Sequence, residues 1–380
     1  MKIAIVGLLH HPIAEPFAGG MESHTWWLAK KLIERGHEVT LFASGDSDPA
    51  LGLVPCIETA FVKNPQAQTI LGRQACNMSA YASVIRRICQ DEFDVVHNNA
   101  LHPFLLLSAA DLPIPMLSVL HTPPYAELAA AVQYAAARNT AGKLAVVAVS
   151  RSLADEWQSL IATDVIYNGI EVASWPFVPR TLPLTALWYG RIVPEKAPHL
   201  AIRAALRAGY AIQIAGPIGS PNYFEAEVLP LIDGAQVRYL GHLSHMEIKR
   251  SLSQASVFVN TPLWQEPYGF VYAEAIATGT PVATFDSGAA REILTERCGV
   301  VVKEKTVAAL ARAIVAAAQL SRRDCRQRAE TFCHIDLMIE GYEQQYQRLI
   351  HRQQAHTHLE RTNQSRGITQ DSLQLVGISS

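Results

Sequence analysis

The sequence predicts an α/β protein built from two successive parallel-sheet units. Three observations predict it. Short apolar runs recur along the chain, helix-period segments lie between them, and the series pauses once at a proline-punctuated stretch. Strands that alternate with helices pair in parallel, because each return to the sheet needs a crossover. A length of 380 residues suits two domains better than one.

The first unit opens with Ile3–Leu8, an apolar run of the kind buried on both faces of a sheet. A helix over Gly19–Arg35 follows and ends at Gly36. Further strands fit Glu38–Ala43, Asp94–His97, Pro115–Leu120 and Ala145–Val149, with a helix at Ser79–Gln90. Val165–Ile166 is a last short strand, and Asn168-Gly169 signals a turn. Pro176, Pro179 and Pro183 then mark a linker.

The second unit starts at strand Leu184–Tyr189 and continues through Ala211–Ala215, Val237–Leu240, Val257–Asn260, Val282–Phe285 and Val300–Val302. Helices fill the intervals, notably Ser244–Gln254, Phe270–Thr278 and Val307–Leu320. Met338–Ile350 reads as a further helix with Tyr342, Tyr346 and Leu349 on one face. The polar run from His351 onward reads as a disordered tail. The expected domains are thus 1–176, 177–335, a helix at 336–350, and a tail at 351–380.

Composition narrows the function. Hydrophobic residues make up 49% and charged residues 17%, which supplies material for packed cores. A net charge of -2 gives no broad reason to bind nucleic acid or an anionic membrane. No apolar run approaches the length of a bilayer span, and the N-terminus lacks a signal-peptide core, so a cytoplasmic protein is expected. None of the six cysteines forms a Cys-x-x-Cys pair, so they read as buried, reduced thiols.

Four segments carry candidate chemistry. In Gly190-Arg191-Ile-Val-Pro-Glu-Lys196, two cations follow the end of a buried strand, the edge where open α/β sheets bind ligands. Arginine offers a fork for phosphate oxygens and lysine a point charge. Taken alone, they also read as solvated surface cations. Glu266-Pro-Tyr-Gly-Phe-Val-Tyr-Ala-Glu274 opens a helix near Gly269, whose free N–H groups suit an anion or sugar hydroxyls. Favourable acid charge at a helix start accounts for Glu266 but not for Glu274, which apolar residues surround. Gly19-Gly20-Met-Glu-Ser-His24 lets backbone approach a ligand, without the spacing of a nicotinamide fingerprint. His121-Thr122-Pro123 ends a strand, where the histidine either faces a cleft or is structural; His97 reads as structural.

In this order and combination, the four segments resemble family 4 of the retaining glycosyltransferases. The resemblance spans roughly residues 1–350. It implies the GT-B fold, two Rossmann-like domains facing a central cleft. It also implies a hexosyltransferase that moves a sugar from a nucleotide-diphosphate donor (UDP- or GDP-sugar, UDP-glucose favoured) to a hydroxyl acceptor. By the same resemblance, Arg191 and Lys196 grip the diphosphate, and Gly19 and Gly20 close over it from the first domain. Glu266 contacts donor-sugar hydroxyls and Glu274 the ribose. Backbone amides at Tyr268, Gly269 and Phe270 face the sugar and phosphates. His121 lies beside the reacting sugar, and the last helix crosses back to the first domain. Many relatives carry a second glycine where Ser287 stands here.

Asp46-Ser-Asp48 imitates a metal-binding Asp-x-Asp but reads as a polar turn, so metal-independent transfer without a cofactor is expected. A soluble small acceptor is preferred. Some bacterial relatives with a similar opening segment are assigned to pterin glucosylation, which makes a pterin one candidate. A membrane-surface transferase is the variant reading, with Arg73, Arg86 and Arg87 as its thin basic helix. The Trp26-Trp27 pair reads as core packing, with an acceptor pocket as its alternative. A non-hydrolysing sugar-nucleotide epimerase and a non-catalytic nucleotide-sugar binder are the readings of other classes.

Overall fold

The computed structural model describes residues 1–374. Its first sheet contains β1 (Lys2–Val6), β2 (Glu38–Ser44), β3 (Leu53–Ile57), β4 (Val95–Asn98), β5 (Met116–Leu120), β6 (Leu144–Ala148) and β7 (Asp164–Val165). The second contains β8 (Thr185–Tyr189), β9 (Ala211–Ala215), β10 (Val237–Tyr239), β11 (Val257–Asn260), β12 (Val282–Phe285) and β13 (Gly299–Val302). The strand orders are β3-β2-β1-β4-β5-β6-β7 and β10-β9-β8-β11-β12-β13. Every strand pairing in both is parallel.

The central strands are buried end to end, as β4, β5, β11 and β12 show. Helices cover both faces and leave only the strand ends near solvent. Each sheet reverses its winding once, between β1 and β4 and between β8 and β11. At such a reversal, helices depart to opposite faces and open a crevice beyond the carboxyl ends of the strands.

Edge strand β3 escapes sequence patterning because Pro55 interrupts it. An edge tolerates the missing N–H. The helix expected at Ser79–Gln90 begins at Ile70 instead, capped by the Thr69 hydroxyl, which accepts from Gly72 N at 3.0 Å. Its first turn is apolar yet exposed (Ile70 79%, Leu71 78%), so no hydrophobic face announced it.

Direct contacts join the two units. Ser150 Oγ donates to Pro267 O at 2.6 Å. Glu292 accepts from Arg151 N and Ser152 N, each at 2.8 Å, and from the Tyr167 hydroxyl at 2.8 Å. A carboxylate of the second unit therefore caps a helix of the first.

The chain closes with one long helix, Ile335–Gln374, which lies on the first sheet. Arg35 bonds Asp336 and Glu343, each at 2.9 Å, and Gln345 donates to Asp164 at 2.8 Å. From His351 onward, where the sequence reads as a disordered tail, the helix continues as far as Gln374. Glutamine, arginine, alanine and leucine are strong helix formers, no proline interrupts them, and the packed turns before them supply the nucleus. Residues 375–380 lie outside the described residues. No described helix is long and apolar enough to cross a membrane.

Candidate active site

Every predicted donor-site residue of the second unit follows one of the two strands that flank its winding reversal. Arg191 and Lys196 follow β8; Glu266 to Glu274 follow β11. The β8 loop leaves through Gly190 at φ +155°, and Gly216 sits directly against it. A Cβ at Gly216 would fall 1.9 Å from Gly190 O, so only glycine fits there.

Lys196 ends a short turn, and Ala197 behind it adopts a left-handed conformation at φ +46°. The Thr261 hydroxyl fixes that turn by donating toward Lys196 O at 2.7 Å and Ala197 O at 3.0 Å. Lys196 Nζ then bonds Glu266 Oε1. Trp264 Nε1 donates to the same oxygen at 3.1 Å, and the ammonium lies 5.2 Å from the Trp264 ring centroid. Glu266 is thus a buried carboxylate whose Oε1 is held by Lys196 and Trp264. Arg191 is exposed, with its stem over Gly219.

The 286–292 segment props the Glu266 loop from behind. Gly288 N donates to Gln265 Oε1 at 2.6 Å, Ala289 N to Glu266 O at 3.1 Å, and Ser287 Oγ to Trp264 O. Ser287 therefore braces this loop through its hydroxyl.

Gly269 caps the helix Phe270–Ala277 at φ +86°, and a Cβ there would strike the Tyr272 ring at 2.6 Å. The Tyr268 side chain turns inward, so at this position only the backbone is available to a ligand. Glu274 bonds the Tyr189 hydroxyl. Burial pushes its carboxyl pKa up to about 7, against the lowering effects of Tyr189 and of Lys249.

The first unit supplies the facing wall. Gly20 opens the helix Gly20–Glu34, and a Cβ on it would lie 2.9 Å from Phe270 Cδ2. The two predicted loops therefore touch across the cleft. His11, in the loop after β1, has its pKa lowered by burial and by the nearby charge of Arg191 from the opposite unit. His121 follows β5 and is buried, with its Nε2 3.1 Å from Asn99 Oδ1. Burial holds its pKa down at about 3, so it is neutral.

Comparison with known proteins agrees with this geometry. Residues 18–174 match Glycosyltransferase Family 4, and residues 175–332 match Glycosyl transferases group 1. The chain is 30% identical over 386 residues to a glycogen synthase of Mycobacterium tuberculosis, covering 86% of this chain and 90% of that protein. This protein belongs to the family 4 glycosyltransferases. Sucrose-phosphate synthase from Thermosynechococcus elongatus superposes with a TM-score of 0.73 at 18% identity, covering 92% of this chain and 98% of that one. Anabaena HepE, in complex with UDP and glucose, gives 0.69 at 18% identity, covering 91% and 99%. Those likenesses establish the GT-B fold.

Other motifs of the glycosyltransferase have structural duties. Asp46 accepts from Ala60 N at 3.0 Å and pairs with Lys63 at 3.1 Å. Asp48 accepts from Ala50 N at 2.9 Å and from Trp26 Nε1 at 2.8 Å. Trp26 is buried and Trp27 packs against the core. All six cysteines are free, but only Cys298, Cys325 and Cys333 are buried; Cys89 is exposed, which corrects the expectation of uniformly buried thiols. Sequence reasoning missed Trp264, Asn99 and Lys249. Trp264 had a usable signal, an aromatic two residues before Glu266. Asn99 and Lys249 had none, because nothing local distinguishes them from solvated polar residues.

Proposed function

We propose that the protein is a retaining hexosyltransferase that moves a sugar from a nucleotide-diphosphate donor to a hydroxyl of a small acceptor. UDP-glucose is the favoured donor. The observation that carries the reading is the Lys196–Glu266 pair beside Glu274, set at the second sheet's reversal and faced by Gly20. The UDP and glucose bound by Anabaena HepE support the choice of donor.

In this reading Arg191 and Lys196 hold the diphosphate and offset the charge that grows as it departs. Backbone N–H groups at Gly269 and Phe270 add the positive end of a helix. Glu266 orients the sugar hydroxyls, and Glu274 accepts from the paired ribose hydroxyls. Gly19 and Gly20 cover the phosphates, and His121 stands beside the sugar. The acceptor oxygen attacks the anomeric carbon on the face that the phosphate leaves, and the departing phosphate oxygen takes the acceptor's proton. Both steps stay within the substrates, so no enzyme nucleophile is required. The cations and the helix terminus replace a divalent ion, and transfer proceeds in the cytoplasm without a metal.

The test is release of nucleoside diphosphate from a panel of nucleotide sugars, with the product's anomeric configuration read by NMR. Retention with turnover unaffected by EDTA is expected. Inversion, or activity lost in EDTA and restored by magnesium or manganese, would refute the respective part.

A further inference from the structure

Three histidines converge on one asparagine in the first unit. Asn99 follows β4, and its Oδ1 lies 3.1 Å from both His97 Nε2 and His121 Nε2. Its Nδ2 lies 3.3 Å from His24 Nδ1 and 3.3 Å from Thr25 Oγ1.

Thr25 decides which way the carboxamide faces. Its hydroxyl has one proton, which it gives to Met21 O at 3.0 Å. Thr25 Oγ1 can then only accept from Asn99, so the amide nitrogen faces Thr25 and the oxygen faces the two histidines. An amide oxygen has no proton to give. His97 and His121 must therefore both donate through Nε2.

Burial keeps these two rings neutral, with pKa values held down at about 3, so each has a single ring proton. Nδ1 is bare on both. On His97 the closing helix fills it: the Tyr346 hydroxyl donates to Nδ1 at 2.6 Å. His24, which accepts from Asn99 at Nδ1, turns its Nε2 to Tyr342 of the same helix at 3.3 Å. His121 is different. Its Nδ1 has no hydrogen-bond partner among the described residues, and the residue is 8% exposed.

We propose that Asn99 is a positioning residue that locks His121 in its Nε2–H tautomer and leaves Nδ1 as a bare acceptor for a substrate hydroxyl. The closing helix occupies the second ring nitrogen of each of the other two histidines through Tyr342 and Tyr346. The identity of the hydroxyl rests on the proposed function; the tautomer does not. The arrangement makes His121 a recognition group, neither an acid nor a base in the transfer.

The test is 15N NMR of protein labelled at histidine, with His121 assigned by the signals lost in His121→Gln. The wild type is expected to show a protonated Nε2 and an unprotonated Nδ1 on His121 at about pH 7. Asn99→Ala should give mixed tautomers, with the donor KM raised about tenfold and kcat changed less. Tyr346→Phe should leave the His121 signals in place, because Asn99 remains. A protonated Nδ1 in the wild type, or an unchanged tautomer in Asn99→Ala, would overturn the assignment. The first readout needs no variant, so poor folding of Asn99→Ala leaves it decisive. If no nucleotide sugar is turned over while the Nε2–H tautomer is found, the functional reading fails and the Asn99 lock stands.

Discussion

Gly20 and Phe270 meet across the cleft, so closely that a methyl group on Gly20 would sit 2.9 Å from Phe270 Cδ2. Gly20 is helical and Phe270 is the first residue of the opposing helix. Gly20→Ala therefore improves local helix propensity by about 0.5–1 kcal/mol while pushing the two loops apart. The expected result is an unchanged or slightly raised melting temperature with kcat/KM reduced about tenfold or more. Wild-type kinetics in this variant would mean that the loops do not work in contact.

Lys196 and Glu266 form a pair in which the carboxylate is the more deeply buried partner. Lys196→Ala leaves Glu266 charged and dependent on Trp264 alone. Partial exposure of the lysine limits the loss to about 1–3 kcal/mol of stability. Transfer should be abolished in Lys196→Ala and in Glu266→Gln, with a smaller stability loss in the glutamine variant. Near-normal turnover in either, measured as diphosphate release, would displace the donor site from this loop.

Glu274 should make both stability and donor binding depend on pH. Its folded pKa, raised to about 7, exceeds the ordinary value of 4.5, so the folded state holds the proton more tightly than the unfolded one. Stability from this group is full below the unfolded value and is lost as pH rises towards 7, by about 1–3 kcal/mol in total. Glu274→Gln should abolish that decline in denaturant titrations between pH 5 and 8. Donor KM should move the other way in the wild type, improving as the carboxylate ionises and accepts two hydroxyls. A KM independent of pH across this range would argue against a ribose contact.

Glu292 holds two backbone N–H groups and a tyrosine hydroxyl of the first unit. The same segment supports the Glu266 loop through Gly288 and Ala289. Glu292→Ala should cost about 1.5–3 kcal/mol, as loss of hydrogen bonds to a charged group does. It should also raise the radius of gyration in solution scattering, as the units loosen. A stability change without any change in scattering would limit Glu292 to a local cap.

The loops of the candidate donor site were legible because their signals are local. Buried strands announce themselves as apolar runs, and Gly190, Lys196, Glu266 and Gly269 sit at fixed offsets from strand ends. Elements without a hydrophobic face were lost. The first turn of the helix at Ile70 exposes its apolar side chains, β3 contains Pro55, and the end of the closing helix is largely polar. The histidine hub was invisible for another reason: His24, His97, Asn99 and His121 lie on two separate strand ends and a helix, and Tyr342 and Tyr346 arrive from the far end of the chain.

By itself the sequence determined two parallel α/β units, their order, and the candidate residues in the loops after β8 and β11. Those depend on periodicity and on the chemistry of neighbouring residues, which a linear chain displays. Only the tertiary structure decided that Lys196 pairs with Glu266, that Gly20 closes on Phe270, that Glu292 clasps the other unit, and that Asn99 sets the proton on His121. Each joins residues far apart in the chain, and each depends on which polar groups burial leaves with a single available partner.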